Sequence, residues 1–369
     1  LFRLLVLAKN ALNLFVRIIF AKNVAPITAR RYWQKRSKVR IAVDAFGTDN
    51  APYPEIEGAV LAIKEDICDE VILVGDEQII NKELGKFFYP QNRISVVNAS
   101  QRIEMEDSAA AAIRTKKDSS LVRAIELHKQ GLADAVVSAG NTGAVMAASL
   151  LIYRCIKNVQ RPAIAVVFPT QEGHQILLDM GANVDCSAEN LLQFAKLGSM
   201  YFEYFFQTKN PRISLLNIGE ESAKGNATTK QAYKLLSQDK ELNFTGNIEG
   251  KDIIRGITDV VVCDGFVGNI VLKTVEGVGF SIFEILKEEI NKDWIAKIGS
   301  LLSYPVYSYI KNKLDHTEYG GALLVGLNGI SVVAHGRSNA KAIKNAIRFA
   351  DRIAKSGFVT HAKAYFERF

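Results

Sequence analysis

The chain has 369 residues, 48% of them apolar and 23% charged, which is enough to bury a large core. Its four cysteines and five histidines are scattered, without a C-x-x-C pair or an H-E-x-x-H motif, so a disulfide framework and a metal site are not indicated and a reducing cytosol is favoured. Residues 1–40 carry ten basic and no acidic groups, whereas the remainder carries 36 basic and 39 acidic groups. The formal net charge of +7 therefore belongs to the N-terminal segment, and nucleic-acid binding by the body is not indicated.

The N-terminal segment, residues 1–38, is predicted to be a basic amphipathic extension. On a helical projection of residues 1–20, Arg3, Lys9 and Arg17 fall on one narrow arc and the rest of the surface is apolar. Such a helix is typical of a membrane-surface anchor or a targeting presequence, and a segment that is not native to the protein is a third interpretation. We expect the globular part to span residues 39–369.

From Val39 onward, short β-branched runs alternate with helical patterns. Continuous apolar runs of this length indicate strands buried on both faces, and the alternation predicts an α/β fold of three layers, α/β/α, around a mostly parallel sheet. The predicted strands are Arg40–Ala45, Glu70–Val74, Ile94–Val97, Ala133–Val137, Ala163–Phe168, Gln175–Leu178, Ile213–Asn217, Asp259–Cys263 and Ile330–Ala334. The clearest predicted helices are Ser120–Lys129, Ala188–Phe206, Thr228–Ser237 and Ala340–Ala354.

Residues 280–318 are predicted to form a protruding helical hairpin. Pro305 lies in the middle of this stretch and should interrupt the helix. The tip is apolar and is flanked by Lys292, Lys297, Lys311 and Lys313. It could pack on a partner subunit or contact anionic lipid headgroups, and both interpretations remain open. The tip side chains are Leu301, Leu302, Tyr304 and Val306.

One loop combines the features of an anion site. The stretch SAGNTGAV follows a predicted strand and opens a predicted helix, where backbone N–H groups can bind an anion. Gly140 and Gly143 permit close approach, and Ser138, Asn141 and Thr142 add donors. An ordinary tight turn is the alternative.

Five further loops at predicted strand ends carry polar side chains. The first strand leads to Asp44 and Asp49, which could simply cap a turn. Lys224 could neutralise a phosphate or an oxyanion, although a solvated loop lysine is the simpler interpretation. His335 could be a packed residue or a general base. The remaining candidates are Asp179 and Asn183 after one strand and Asp264 and Asn269 after another.

Several known fingerprints are missing from these loops. There is no G-x-G-x-x-G after the first strand, no G-x-x-x-x-G-K-[ST] and no G-x-S-x-G. Dinucleotide, nucleoside triphosphate and serine-hydrolase functions are therefore not favoured. A site rich in donors but lacking an obvious nucleophile suits a reaction in which the substrate, such as phosphate, supplies the nucleophile.

Taken together, these motifs resemble the phosphate acyltransferase (PlsX) family of bacterial phospholipid synthesis. The resemblance runs from about Val39 to the C-terminal helix, in order and without large gaps. The motifs that carry it are IAVDAFGTDNAP (41–52), KDSS (117–120), ADAVVSAGNTGA (133–144), RPA (161–163), LDMGANVD (178–185), LLNIGEESAKGN (215–226), GNIEG (246–250), DGFVGN (264–269), YGGA (319–322) and His335-Gly336. Three positions depart from the family pattern: Phe46 stands for the usual Met, Thr48 for a glycine and Leu323 for a frequent Pro.

The resemblance implies a function. The enzyme would move a long-chain acyl group from acyl carrier protein to inorganic phosphate, and a membrane glycerol-3-phosphate acyltransferase would use the acyl phosphate. It implies a fold related to phosphate acetyltransferases and isocitrate dehydrogenases. It also implies a cytoplasmic homodimer that has no metal or organic cofactor and associates peripherally with membrane through the helical tip.

The resulting mechanistic hypothesis is direct attack of phosphate on the thioester. The SAGNTG loop and Lys224 would hold phosphate or the oxyanion, and His335 or Asp264 would handle protons. Asp179, Asn183 and Asn269 would position these groups. Three alternatives remain: short-chain transfer from coenzyme A, a dehydrogenase on a similar sheet, and a non-catalytic membrane scaffold.

Overall fold

The computed structural model describes residues 38–171, 173–307 and 320–368. Except for Lys38, the predicted N-terminal extension lies outside these residues. The end of the predicted hairpin, residues 308–318, lies outside them as well, and with it the flanking Lys311 and Lys313.

Eleven strands of the described residues form one sheet, in the order β3-β2-β1-β4-β11-β10-β5-β6-β9-β7-β8. Most neighbours are parallel, and only the pairs β11–β10, β10–β5 and β5–β6 are antiparallel. The strands are β1 (Arg40–Asp44), β2 (Glu70–Gly75), β3 (Ile94–Asn98), β4 (Ala135–Ser138), β5 (Ala163–Pro169), β6 (His174–Leu178), β7 (Arg212–Leu216), β8 (Asn243–Ile248), β9 (Val260–Val262), β10 (Ala322–Val325) and β11 (Ser331–Val333).

Helices cover both faces of the sheet, as the strand sequences predict. Along β1, Ile41 and Val43 point into one apolar core and Ala42 into the other, because successive strand side chains alternate. The α/β/α prediction is thus confirmed. The helices are α1 (Tyr53–Lys64), α2 (Glu77–Leu84), α3 (Ala109–Thr115), α4 (Ser120–Lys129), α5 (Thr142–Tyr153), α6 (Ala188–Phe206), α7 (Ala227–Gln238), α8 (Gly265–Lys292), α9 (Trp294–Leu302), α10 (Ala340–Ser356) and α11 (Phe358–Phe366).

Two strands escaped the sequence-based prediction. β8 has the sequence NFTGNI and lies at the edge of the sheet, so it lacks the continuous apolar run on which the prediction depended. β10, with the sequence ALLV between Gly321 and Gly326, was also not predicted as a strand. The nine predicted strands are all present, with ends shifted by one or two residues.

The helical region also differs in detail from its prediction. α8 begins at Gly265, well before residue 280, and ends where the Asp293 carboxylate accepts from the Ile295 amide and caps α9. The helix breaks at Ser303, and residues 304–307 are helical again, so the interruption comes just before Pro305. By length and composition α8 could cross a membrane, and only 6% of its most apolar window is buried.

Candidate active site

The ends of β1, β4 and β11 bring three loops together. These strands are neighbours and run parallel, so their carboxyl ends meet at one edge. We name residues 44–52, 138–143 and 334–338 the first loop group. Its loops are joined by backbone hydrogen bonds, in which Asp49 N donates to Gly336 O at 2.8 Å and Ala334 N donates to Ser138 O at 2.9 Å.

The first and second loops of this group touch backbone to backbone. A Cβ on Gly47 would lie 2.7 Å from the Gly140 nitrogen, closer than side chains tolerate. Gly47 is therefore required by the close approach. The neighbouring Thr48 does not have the left-handed φ that a glycine would favour, so the extra Cβ at this position causes no backbone strain.

A buried carboxylate supports the SAGNTG turn. The Ser138 hydroxyl donates to Asp44 Oδ2 at 2.7 Å and accepts from the Gly140 amide at 3.1 Å. Burial raises the pKa of Asp44, and hydrogen bonds from Ser120 and Ser138 oppose that shift. Asp44 is 3% exposed, so it shapes the loop and does not reach a ligand in solvent.

The SAGNTG loop does open a helix, as predicted. Asn141 caps α5: its Oδ1 accepts from Ala144 N at 3.0 Å, and its Nδ2 donates to Met105 O at 2.8 Å. The Asn141 side chain is therefore committed to protein partners. Thr142 and Gly143 follow it in the first turn and are exposed, so their backbone amides are the donors that an anion can reach.

His335 is exposed at the end of β11, beside Gly336. Its Nδ1 accepts from the Arg337 backbone amide at 3.1 Å. In the neutral ring the proton must then lie on Nε2, because Nδ1 is serving as an acceptor. This arrangement favours His335 as a hydrogen-bond donor to an anion over a general base. Asp49, also exposed, lies against the same glycine.

A second loop group follows β6, β9 and β7, which are also parallel neighbours. It comprises residues 179–187, 217–226 and 263–269. Its centre is Asp179, which is fully buried and accepts four hydrogen bonds. Oδ1 accepts from Ile164 N at 2.9 Å and Ala182 N at 3.0 Å, and Oδ2 accepts from Asn183 N at 2.6 Å and Asn183 Nδ2 at 2.8 Å.

Asp179 and Asn183 therefore hold the loop together. Asn183 Nδ2 also donates to Pro162 O at 2.7 Å, which ties the loop to the segment before β5. Burial raises the pKa of Asp179, and the surrounding donors oppose that shift. The Asp179 carboxylate and the Asn183 amide nitrogen are thus committed to protein partners, and both side chains are buried.

The start of α8 packs tightly on this loop. Asp264 caps the helix, since its Oδ1 accepts from Val267 N at 2.8 Å. A Cβ on Gly268 would lie 2.0 Å from the Asp179 carbonyl oxygen, so the helix can approach only with glycine there. Asn269 follows and is half-buried against Gly181.

Lys224 is exposed in the loop after β7. Its backbone is fixed, because Lys224 N donates to Glu221 O at 3.0 Å and Asn217 Nδ2 donates to Lys224 O at 3.2 Å. Gly225 adopts φ +97°, and a Cβ there would lie 2.2 Å from Thr229 Oγ1. A rigid backbone thus presents a flexible cationic side chain to solvent.

The two loop groups are separated along the sheet. Six strand spacings lie between β4 and β7, or about 29 Å measured along the row of strands. The three antiparallel pairs reverse the strand direction between the groups, so β4 and β7 run in opposite directions.

Sequence reasoning missed two charged residues at the first loop group. Arg102, in the loop after β3, donates from Nη2 to Thr48 O at 3.4 Å, and its charge acts to lower the pKa of Asp44. Glu55, in the first turn of α1, is fully buried and accepts from Thr48. The only sequence signal for Glu55 was an acidic residue just after Pro52 and Pro54 at a helix start.

No described cysteine is activated as a nucleophile. Burial raises the pKa of Cys68 to about 12 and of Cys186 to about 11, and it also raises the pKa of Cys155 and Cys263. Among the described residues, no group of three or more His, Cys, Asp or Glu side chains could hold a metal ion.

Comparison with known proteins identifies the family. The family described as "Fatty acid synthesis protein" matches residues 39–361. Curated proteins called phosphate acyltransferase are similar over most of the chain: one from Geotalea daltonii is 49% identical over 323 residues, covering 88% of this chain and 93% of its own length. The chain belongs to this family. Another member, from Halothermothrix orenii, is 47% identical and covers 87% of this chain and 96% of its own length.

Solved structures of phosphotransacetylases share the fold of this phosphate acyltransferase family member. One from Streptococcus pyogenes superposes with a TM-score of 0.57 over 91% of this chain and 98% of its own, at 16% identity. One from Staphylococcus aureus gives 0.55 over 86% and 94%, also at 16% identity. At such identities the likeness supports the architecture alone, and it agrees with the fold that the sequence motifs implied.

Proposed function

We propose that the protein transfers a long-chain fatty acyl group from acyl carrier protein to inorganic phosphate, giving acyl phosphate for phosphatidic acid synthesis. The observation that carries the proposal is the similarity to phosphate acyltransferases over 87–88% of the chain. The site supports it as well, since it offers anion-binding donors and, among the described residues, no activated nucleophile.

In the proposed reaction, a phosphate oxygen attacks the thioester carbonyl carbon. The C–O bond forms, the carbonyl oxygen becomes a tetrahedral oxyanion, and the C–S bond then breaks to release the carrier-protein thiolate. The proton that phosphate carried neutralises the thiolate. The protein has to bind the phosphate, align it at about 3 Å and stabilise the oxyanion, which are tasks of positioning and electrostatics.

The first loop group is the proposed phosphate site. The exposed Thr142 and Gly143 amides at the start of α5 and the Nε2–H of His335 would donate to phosphate oxygens. Ser138, Gly140 and Asn141 would shape this cradle from below. Asp44 would act through Ser138, and Asp49 through its backbone contact with Gly336.

Lys224 is the proposed source of positive charge for the negative charge that develops during the reaction. It lies in the second loop group, and its ammonium would neutralise the oxyanion or a distal phosphate oxygen. Asp179, Asn183 and Asn269 would hold that group in place. Asp264 caps α8, and its proposed role in the reaction is to carry a proton.

Apolar side chains of the predicted hairpin support a peripheral membrane contact. Leu301, Leu302, Tyr304 and Val306 are 70%, 56%, 62% and 44% exposed. We propose that the enzyme is cytoplasmic and touches the membrane through this tip, where a membrane glycerol-3-phosphate acyltransferase would take up the acyl phosphate. The apolar surface of α8 would serve a homodimer.

The decisive experiment measures phosphate-dependent release of free carrier protein from palmitoyl-acyl carrier protein by the purified full-length chain. Acetyl-CoA is the comparison donor. Preferred turnover of the palmitoyl carrier protein supports the proposal, whereas preferred turnover of acetyl-CoA would assign the short-chain activity. Absence of phosphate-dependent release from either donor would leave the non-catalytic scaffold as the better description.

A further inference from the structure

A buried carboxylate lies directly behind the first loop. Glu55, in the first turn of α1, is fully buried, and both of its oxygens face Thr48. Thr48 N donates to Oε1 at 2.6 Å, and Thr48 Oγ1 donates to Oε2 at 3.0 Å. Thr48 is itself fully buried, so these two hydrogen bonds are shielded from water and fix the residue in one orientation.

Thr48 occupies the junction between the elements of the proposed phosphate site. On one side of it, Gly47 packs against the backbone of the SAGNTG loop at Gly140. On the other side, Asp49 N donates to Gly336 O, next to His335. A shift of Thr48 must therefore move the contact with the SAGNTG loop, the contact with the His335 loop, or both.

We propose that Glu55 is a positioning residue for phosphate binding, and that its carboxylate, through Thr48, holds the first loop against the SAGNTG and His335 loops. This inference rests on the proposed function of the first loop group as the phosphate site. Glu55 does not touch the phosphate. Its effect should therefore appear in the affinity for phosphate and not in the affinity for the acyl donor.

The surroundings of Glu55 make this support dependent on pH. Burial raises the pKa of Glu55 to about 7, the Thr48 donors oppose the shift, and the Asp44 carboxylate adds to it. From the loop after β3, the Arg102 guanidinium approaches Thr48 O. From α10, Lys344 and Arg348 face α1 but pair with Glu65. Glu65 is ten residues beyond Glu55 along the chain, or about 15 Å along the helix axis.

Protonation changes the two hydrogen bonds without removing the side chain. A protonated Oε2 would donate to Thr48 Oγ1, reversing that bond, and Oε1 would become a neutral and weaker acceptor for the Thr48 amide. Hydrogen bonds to charged groups are roughly twice as strong as neutral ones. We therefore expect phosphate affinity to be about five- to tenfold weaker at a pH below the pKa of Glu55 than at a pH above it.

The test compares Glu55→Gln with Glu57→Gln, a control two residues along the same helix. The amide introduced by Glu55→Gln mimics the protonated carboxyl, so the KM for phosphate should be about five- to tenfold higher than in the wild type at pH 8, while the KM for palmitoyl-acyl carrier protein should stay unchanged. Between pH 6 and 8, the wild type and Glu57→Gln should show the same fall in the KM for phosphate. Glu55→Gln should show a smaller fall in the KM for phosphate, because its residue 55 does not titrate and only the ionisation of phosphate itself still changes with pH.

Thr48→Val provides a second variant that removes the hydroxyl and keeps the backbone donor. Without that hydroxyl the pKa of Glu55 should rise, so the fall in the KM for phosphate should move to higher pH. Thr48→Val keeps the test valid if Glu55→Gln does not fold. The proposal would be overturned if Glu55→Gln and Thr48→Val had the same KM for phosphate as the wild type and the same dependence of that KM on pH.

Calorimetric titration with inorganic phosphate separates this inference from the proposed function. If no chain turns over a thioester but Glu55→Gln binds phosphate more weakly than Glu57→Gln, the reaction assignment fails and the role of Glu55 stands. If turnover is normal in all variants and phosphate affinity is equal, the reaction assignment stands and the role of Glu55 is refuted.

Discussion

Replacing Asp179 by Asn tests whether this buried carboxylate supports a loop or acts on the substrate. In the wild type, four donors converge on its two oxygens. An Asn side chain keeps one oxygen and presents an NH₂ group to the other two donors. Asp179→Asn should therefore lose two hydrogen bonds to a charged acceptor and leave donors facing each other.

The magnitude follows from these bonds and from the burial of the carboxylate. Two hydrogen bonds to a charged group amount to about 3–6 kcal/mol. Part of this loss is offset because burial, which raises the pKa of Asp179, also penalises its ionised form, and Asn is neutral. We expect the free energy of unfolding to fall by about 2–4 kcal/mol, a large fraction of the stability of an ordinary domain.

Urea unfolding followed by circular dichroism measures this change, and turnover is measured in parallel at a low temperature where the variant remains folded. Asp185→Asn, an exposed carboxylate of the same loop, is the control and should stay within about 0.5 kcal/mol of the wild type. A variant that retains wild-type stability but loses turnover would refute the structural role of Asp179.

Three further changes have defined outcomes. Lys224→Ala should lower kcat/KM about 100- to 1,000-fold and leave the urea midpoint unchanged because the side chain is exposed; near-normal kcat/KM would remove Lys224 from the site. The double variant Leu301→Asp/Leu302→Asp should abolish flotation with anionic phospholipid vesicles while keeping turnover of soluble substrate, and unchanged flotation would exclude this tip as the contact. Glu55 has a folded pKa of about 7, above its usual 4.5, so between these values the native state holds a proton that the unfolded state releases, and stability falls as pH rises. Urea unfolding at pH 5 and pH 8 should therefore show the stability of Glu55→Gln rising by about 2.5 kcal/mol relative to the wild type across that range, and equal pH dependences of the two proteins would contradict it.

Most strands could be predicted from the sequence because a strand of a parallel sheet is marked by its own run of apolar residues. Runs such as Val71–Val74 are apolar at every position, since helices cover both faces of the sheet. The same logic located the loops at strand ends and hence the candidate residues. It failed for β8, an edge strand with alternating polar residues, and it did not find β10.

Strand order could not be read in the same way. The sequence-based hypothesis assigned the SAGNTG loop and Lys224 to one site for phosphate or the oxyanion. The sheet order places them in two loop groups that are six strand spacings apart. Pairing across a sheet depends on contacts distant in sequence, such as that between Asp44 and Ser138, 94 residues apart. Likewise, a polar side chain in a glycine-rich loop gives no sign of its burial, and Asp179 proved to be fully enclosed.

The chemistry of the described groups limits how the proposed transfer can proceed. An acyl-enzyme on cysteine would need a thiolate, yet burial raises the pKa of Cys186 and Cys263, and no described cysteine has a lowered one. His335 accepts a backbone hydrogen bond at Nδ1, so its neutral ring offers Nε2–H as a donor and is poorly arranged to act as a base. Direct attack by phosphate needs neither, because an anionic phosphate oxygen is already a nucleophile and the departing thiolate can take the proton that phosphate carries. The work left to the protein is to hold anionic phosphate against the neutral thioester and to stabilise the oxyanion that forms, for which helix amides, a histidine N–H and a mobile ammonium are suited.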